Sequence, residues 1–175
     1  IYNKATLTIG NMQNPNGGDL TLDNEGNITL TGTAYDIKFI NEGTMTINAG
    51  ANRITNLTMS NDNDKRDHLE NYGTLNINGN VVADNTITTN NGWINNYADA
   101  TLNIAKGVSV VARIDNLKDD TEGCAYGKIV VNGSWTIFGN NGKNEGEIEV
   151  NGSMNVPATG AKYTNAEAWE YPIPA

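Results

Sequence analysis

The chain has 175 residues, a formal net charge of −9 and only 18% charged residues, while 30 residues are Asn, 19 Gly and 19 Thr. Excess acid excludes a duplex-binding surface, which needs Lys and Arg to neutralise phosphates, and no apolar run approaches the roughly 20 residues of a membrane-spanning helix. Lone Cys124 excludes an internal disulfide, and no spacing of Cys and His suggests structural zinc. A chain of this size is one domain or one segment of an elongated array.

Residues 1–18 hold one strand, ATLTIG, followed by the irregular NMQNPNGG, and are expected to form a partial or irregular first coil. Ile1 opens the sequence without a basic-then-apolar leader, so a mature or trimmed fragment is expected, its export signal removed or outside the chain. From residue 19 a short alternating strand recurs: DLTL from Asp19, TMTI from Thr44, TLNI from Thr74, TLNI from Thr101, KIVV from Lys128 and EIEV from Glu147. The intervals run from 19 to 30 residues. Periods of this size belong to solenoids and arrays. The second and fourth residues of each strand are apolar, which points one face inward. Most strands follow a turn of the NEG or NYG kind, and most are followed by a second Asn/Gly turn and another alternating stretch.

No segment keeps apolar residues at helical spacing over three turns, so helix is expected to be nearly absent. The predicted fold is all-β: a right-handed parallel β-helix of about six irregular coils over residues 1–156. Residues 157–175 then form a non-repeat cap or linker. The rival is an antiparallel meander built on the Asn-Gly turns. A meander gives no reason for one strand to return in the same register at unequal intervals, whereas a solenoid extrudes inserts as loops and keeps its strands stacked. Asn and Thr at repeated positions are expected to form turn hydrogen bonds and ladders between coils.

The stretches GWINNYADATLNI (Gly92 to Ile104), FINEGTMTIN and HLENYGTLNIN resemble the G-x-I-x-N-x-G-T-L-x-I coils of bacterial autotransporter passenger domains. Related β-helical adhesin-like surface proteins of Gram-negative bacteria share that pattern. The resemblance spans about residues 19 to 155 and departs where Lys128 and Glu147 replace the Thr of the strand start. It implies export, an extracellular or outer-surface location, and adhesion or scaffolding, and it carries no catalytic residues. The function expected is a display protein binding a glycan or a host or bacterial surface protein through lateral loops, without catalysis.

Counted from the strand starts, SNDNDKRDHLE (60–70), TTNNGWINNYA (88–98) and DNLKDDTEGCA (115–125) are expected side by side. They bring Asp62, Asp64, Asp67, Asp119 and Asp120 near Trp93, Tyr72 and Tyr97, the candidate ligand-binding residues. Rings can pack on the C–H faces of sugars while Asn and Asp meet their hydroxyls. The plain alternative is a solvated acidic edge with the aromatics as turn anchors. Asp62, Asp64 and Asp67 also suggest a Ca²⁺ loop, against which stand the intervening Lys65 and Arg66 and the missing Gly and distal Glu. No other cofactor is expected. A polysaccharide lyase or hydrolase of the pectinase kind is the enzymatic alternative, since fold alone leaves it open. Lys106, Arg113, Lys118 and Lys128 are scattered rather than gathered among carboxylate pairs, and neither His68 nor Cys124 has a catalytic partner in view.

Overall fold

The computed structural model describes residues 1–13, 20–32, 34–35, 37–48, 57–59, 69–83, 93–119, 125–137, 142–156 and 163–165. Every described element is a strand, and every pairing between strands is parallel. The chain visits three sheets in rotation. The first holds Tyr2–Asn3, Thr21–Asn24, Lys38–Asn41, Leu69–Asn71, Trp93–Asn96, the end of Ser109–Asn116, Gly142–Asn144 and Tyr163–Asn165. The second holds Thr6–Ile9, Asn27–Leu30, Thr44–Asn48, Thr74–Asn78, Thr101–Ile104, Lys128–Val131 and Glu147–Val150. The third holds Met12–Gln13, Ala34–Tyr35, Leu57–Met59, Val81–Ala83, the start of Ser109–Asn116, Ser134–Ile137 and Ser153–Asn155. This is the arrangement of a parallel β-helix, and the antiparallel rival is excluded.

The strand pattern follows from alternation. In the second sheet the even positions stack rung on rung: Ile28, Met45, Leu75, Leu102 and Ile129 in one column, Leu30, Ile47, Ile77, Ile104 and Val131 in the next. All are buried. Trp135 fills the third sheet's interior and donates its Nε1–H to the Ala112 carbonyl at 3.0 Å.

The first two coils sit differently from the expected register. DLTL from Asp19 alternates like the other repeats, but Thr21–Asn24 pairs with Lys38–Asn41 in the first sheet. Its place in the second sheet belongs to Asn27–Leu30, which pairs with Thr44–Asn48. Two strands of one coil carry the same period-two pattern, so alternation alone does not tell them apart. The N-E-G at Asn24–Gly26 does, because the same turn precedes Thr44 and Glu147.

Each strand of the first sheet ends on an Asn, and in the strands up to Asn116 that side chain points inward. Asn3, Asn24, Asn41, Asn71, Asn96 and Asn116 are buried, and each donates Nδ2–H to Oδ1 of the Asn one rung on, Asn116 reaching Asn144, at 2.7 to 2.9 Å. Nδ2 of Asn71 also reaches the carbonyls of Gly73 in its own turn and Thr101 in the next rung. Buried amides satisfied this way polarise one another and lock neighbouring rungs in register.

Beside the ladder runs a column of small residues: Gly26, Gly43, Gly73, Ala100, Gly127 and Gly146. A Cβ at Gly43 would collide with the Gly26 carbonyl oxygen, and one at Gly73 with that of Gly43. The corner is therefore tight because backbones stack directly, with no need for left-handed φ. Inserts enter here without breaking the ladder. Between Asn96 and Ala100 the turn gains two residues, with Asp99 at φ 62°, a conformation Asp tolerates better than most. Between Asn116 and Gly127 a longer insert departs, yet Asn116 Nδ2 still reaches the Gly127 carbonyl at 2.9 Å.

Candidate functional site

The residue after each ladder Asn occupies one outer column at the corner between the first and second sheets. Glu25, Glu42, Tyr72, Tyr97, Leu117 and Glu145 each donate the backbone N–H to the carbonyl of the previous rung's Asn, at 2.7 to 2.9 Å. The column is acidic toward both ends and aromatic in the middle. Parallel rungs lie about 4.8 Å apart, so two flat rings in successive rungs stack: Tyr72 and Tyr97 have centroids 4.2 Å apart and planes 7° from parallel. Tyr72 remains 42% exposed despite that contact. Burial by its neighbour, then hydrogen bonding to Tyr97 and the nearby Glu70 carboxylate, push the Tyr72 phenol above its ordinary value.

Around this pair the charges are matched. Glu70, which directly precedes the ladder Asn71, forms an ion pair with Lys38 at 2.9 Å. Asp115 accepts Arg113 Nε–H at 3.0 Å and the Lys143 backbone N–H at 3.0 Å. Arg113 is thereby tied to a structural partner. The insert after Asn116 begins as a small hairpin: Lys118 bridges Tyr126, Asp119 N–H donates to the Ala125 carbonyl at 3.2 Å, and Gly127 N–H to that of Leu117 at 2.9 Å. Tyr126 is exposed on it.

Of the residues expected to form a site, Tyr72 and Tyr97 are in direct contact, and Asp119 stands on the hairpin leaving the same corner one rung further. Trp93 lies on the first sheet in register with Arg113; its side chain is outside the description. Asp62, Asp64, Asp67 and Asp120 lie outside the described residues, as do His68 and Cys124, so the expected Ca²⁺ loop does too. The three segments thought to be neighbours share the first sheet, where Glu70, Asn95 and Asp115 are in register. Of the third segment Asp115–Asp119 and Ala125 are described, and residues 60–68, 84–92 and 120–124 lie outside the described residues. Among the described residues no group of three or more His, Cys, Asp or Glu could hold a metal ion, and no helix is long and apolar enough to cross a membrane.

Lys38 was not among the expected residues, whereas Glu70 belongs to the expected segment 60–70 and Tyr126 directly follows the segment 115–125. The signal of the last two is positional: Glu70 immediately precedes a ladder Asn, and Tyr126 immediately precedes a glycine of the tight column. Such an edge, with exposed rings, phenol hydroxyls and a paired carboxylate, can bind a ligand through stacking and hydrogen bonds. Among the described residues it brings no nucleophile, carboxylate pair or basic cluster together. Compared with known proteins, the chain matches no family model, no curated sequence and no solved structure.

Proposed function

We propose that the chain is a display rod of the adhesin-like kind, exported and carried outside the cell, which binds a glycan or a surface protein along its first corner. The observation that carries this reading is the Tyr72–Tyr97 stack, with Tyr72 exposed and Tyr97 half-buried, on a corner fixed from inside by buried Asn amides. Aromatic rings held rigid in the free protein bind with little ordering cost. Sugar rings offer C–H faces to such a platform and hydroxyls to Glu70 and the phenols. A right-handed coil is part of the same proposal, since crossover connections between parallel strands are nearly always right-handed. So is the count of about six irregular coils between the end segments.

A glycan-array screen of the purified chain, with and without Ca²⁺ and with products checked for cleavage, tests the reading. Binding without cleavage, lost in Tyr97→Ala while melting is little changed, is the expected result. Cleavage of a bound polysaccharide would replace the display reading with an enzymatic one. Binding that survives loss of both Tyr72 and Tyr97 would remove this corner from the account.

A further inference from the structure

We infer that the partner taken at the Tyr72–Tyr97 corner is a basic protein segment, an arginine of which stacks on the outer face of Tyr72 and pairs with Glu42. The inference rests on the binding role given to this corner above and goes further by naming the chemistry of the partner.

Three observations point to it. First, the exposed acids fall into two groups. Glu25 pairs with Lys4 at 3.1 Å, and Glu147 and Glu149 both reach Lys128, at 2.9 and 3.3 Å. Asp119 is partnered as well. Among the described residues, the exposed carboxylates without a side-chain hydrogen bond or ion pair are Glu42 and Asp99. Both flank the tyrosine pair. Glu42 holds the outer column one rung before Tyr72, and Asp99 stands in the turn of Tyr97, two residues on.

Second, the stack is open at one end. Tyr97 covers one face of Tyr72, and the opposite face is turned along the column toward the rung of Glu42. The face of an aromatic ring is negative, so a carboxylate gains nothing from it, whereas a cation placed between the two attracts both. Rungs about 4.8 Å apart match the thickness of one flat layer on the ring, as the Tyr72–Tyr97 spacing of 4.2 Å already shows.

Third, the chain joins the same two groups elsewhere with a cation of its own. Lys4, which follows the ladder Asn3, lies over the Tyr2 ring at 5.0 Å from its centroid and pairs with Glu25. Tyr72 and Glu42 repeat the ring and the carboxylate, and no described Lys or Arg pairs with either. A guanidinium suits this place better than an ammonium, because it is planar and carries its N–H donors at the rim, so it stacks and binds a carboxylate at once. The net charge of −9 steers a basic partner toward the corner and disfavours an acidic one.

The experiment titrates the full chain by calorimetry with short glycine peptides that carry arginine, lysine or uncharged citrulline at alternate positions. The arginine peptide should bind tightest and the citrulline peptide not at all. Glu42→Gln and Tyr72→Leu should each weaken the arginine peptide about two- to fivefold, while Glu149→Gln, which removes the same charge several rungs away, should leave its affinity nearly unchanged. Equal losses in Glu42→Gln and Glu149→Gln would reduce the effect to net charge and overturn the inference. Binding of the lysine or citrulline peptide as tight as that of the arginine peptide would overturn it too. A neutral glycan bound through Tyr72 and Tyr97, and indifferent to Glu42→Gln and to the arginine peptide, would keep the corner as the binding site and overturn the basic partner alone.

Discussion

Replacing Asn71 by Ala removes one link from the middle of the amide ladder. In the native chain its Nδ2 donates to Asn96 Oδ1 at 2.8 Å, and its Oδ1 accepts from Asn41 Nδ2 at 2.7 Å. The substitution leaves Asn96 Oδ1 buried without that donor. Asn41 Nδ2 keeps the carbonyls of Gly43 at 3.3 Å and Thr74 at 3.0 Å, so its loss is smaller. An orphaned buried polar group costs about 1–3 kcal/mol, and the lost packing of the amide adds to it, so the variant should lose about 2–4 kcal/mol. Against a typical total of roughly 5–15 kcal/mol, that is a large fraction. Asn78→Ala is the control: its amide donates to Asn48 Oδ1 at 3.3 Å in an exposed pair, and surface changes of this kind stay within about 0.5 kcal/mol. Urea unfolding followed by far-ultraviolet circular dichroism measures both. A loss for Asn71→Ala no larger than for Asn78→Ala would refute the claim that the buried amides hold the rungs together.

Three further outcomes are expected. Gly43→Ala should destabilise by about 1–3 kcal/mol, the range for overpacking a close-packed site, because its Cβ meets the Gly26 carbonyl, whereas Gly10→Ala, with nothing within 4 Å, should be neutral or stabilising; thermal melting of the two variants separates them. Ile104→Asp places a carboxyl in a fully buried column and should cost several kcal/mol, on the order of 3–5, read from the urea midpoint. In a spectrophotometric pH titration of the tyrosinate band, the phenol of Tyr72 should ionise above the ordinary tyrosine value of 10.0. Folding favours its neutral form, so that contribution is complete below pH 10 and is lost as pH rises through the elevated folded value. Tyr2, which donates to the Glu25 carboxylate, is raised as well, so Tyr72→Phe should remove one upward-shifted phenol and leave that of Tyr2; an unchanged number of shifted phenols would assign the shift to another tyrosine.

The parallel solenoid was legible in the sequence because the apolar alternation returns after turns of one type, as at Asn41–Gly43, Asn71–Gly73 and Asn144–Gly146. Its phase in the first coils was not, since Leu20 and Leu22 alternate as Ile28 and Leu30 do, and a period of two says nothing about which sheet a strand joins. The buried ladder was legible only as a habit of Asn at repeated turns. Among 30 Asn residues, those that face inward are marked by position alone, ahead of a small residue and an alternating strand. Tyr72 and Tyr97 stood out as aromatics near loops. Their stacking follows from each being the residue after a ladder Asn in successive rungs, a relation visible only once the ladder is aligned.

The central claim is that equivalent strands stack parallel and in register, and methyl–methyl nuclear Overhauser contacts test it most directly. With Ile, Leu and Val methyls labelled, the account predicts contacts between Leu75 and Leu102 and between Leu102 and Ile129, and separately between Ile77 and Ile104 and between Ile104 and Val131. Crossed pairing, with Leu75 against Ile104 and Ile77 against Leu102 in place of these contacts, would mean antiparallel neighbours and would contradict it.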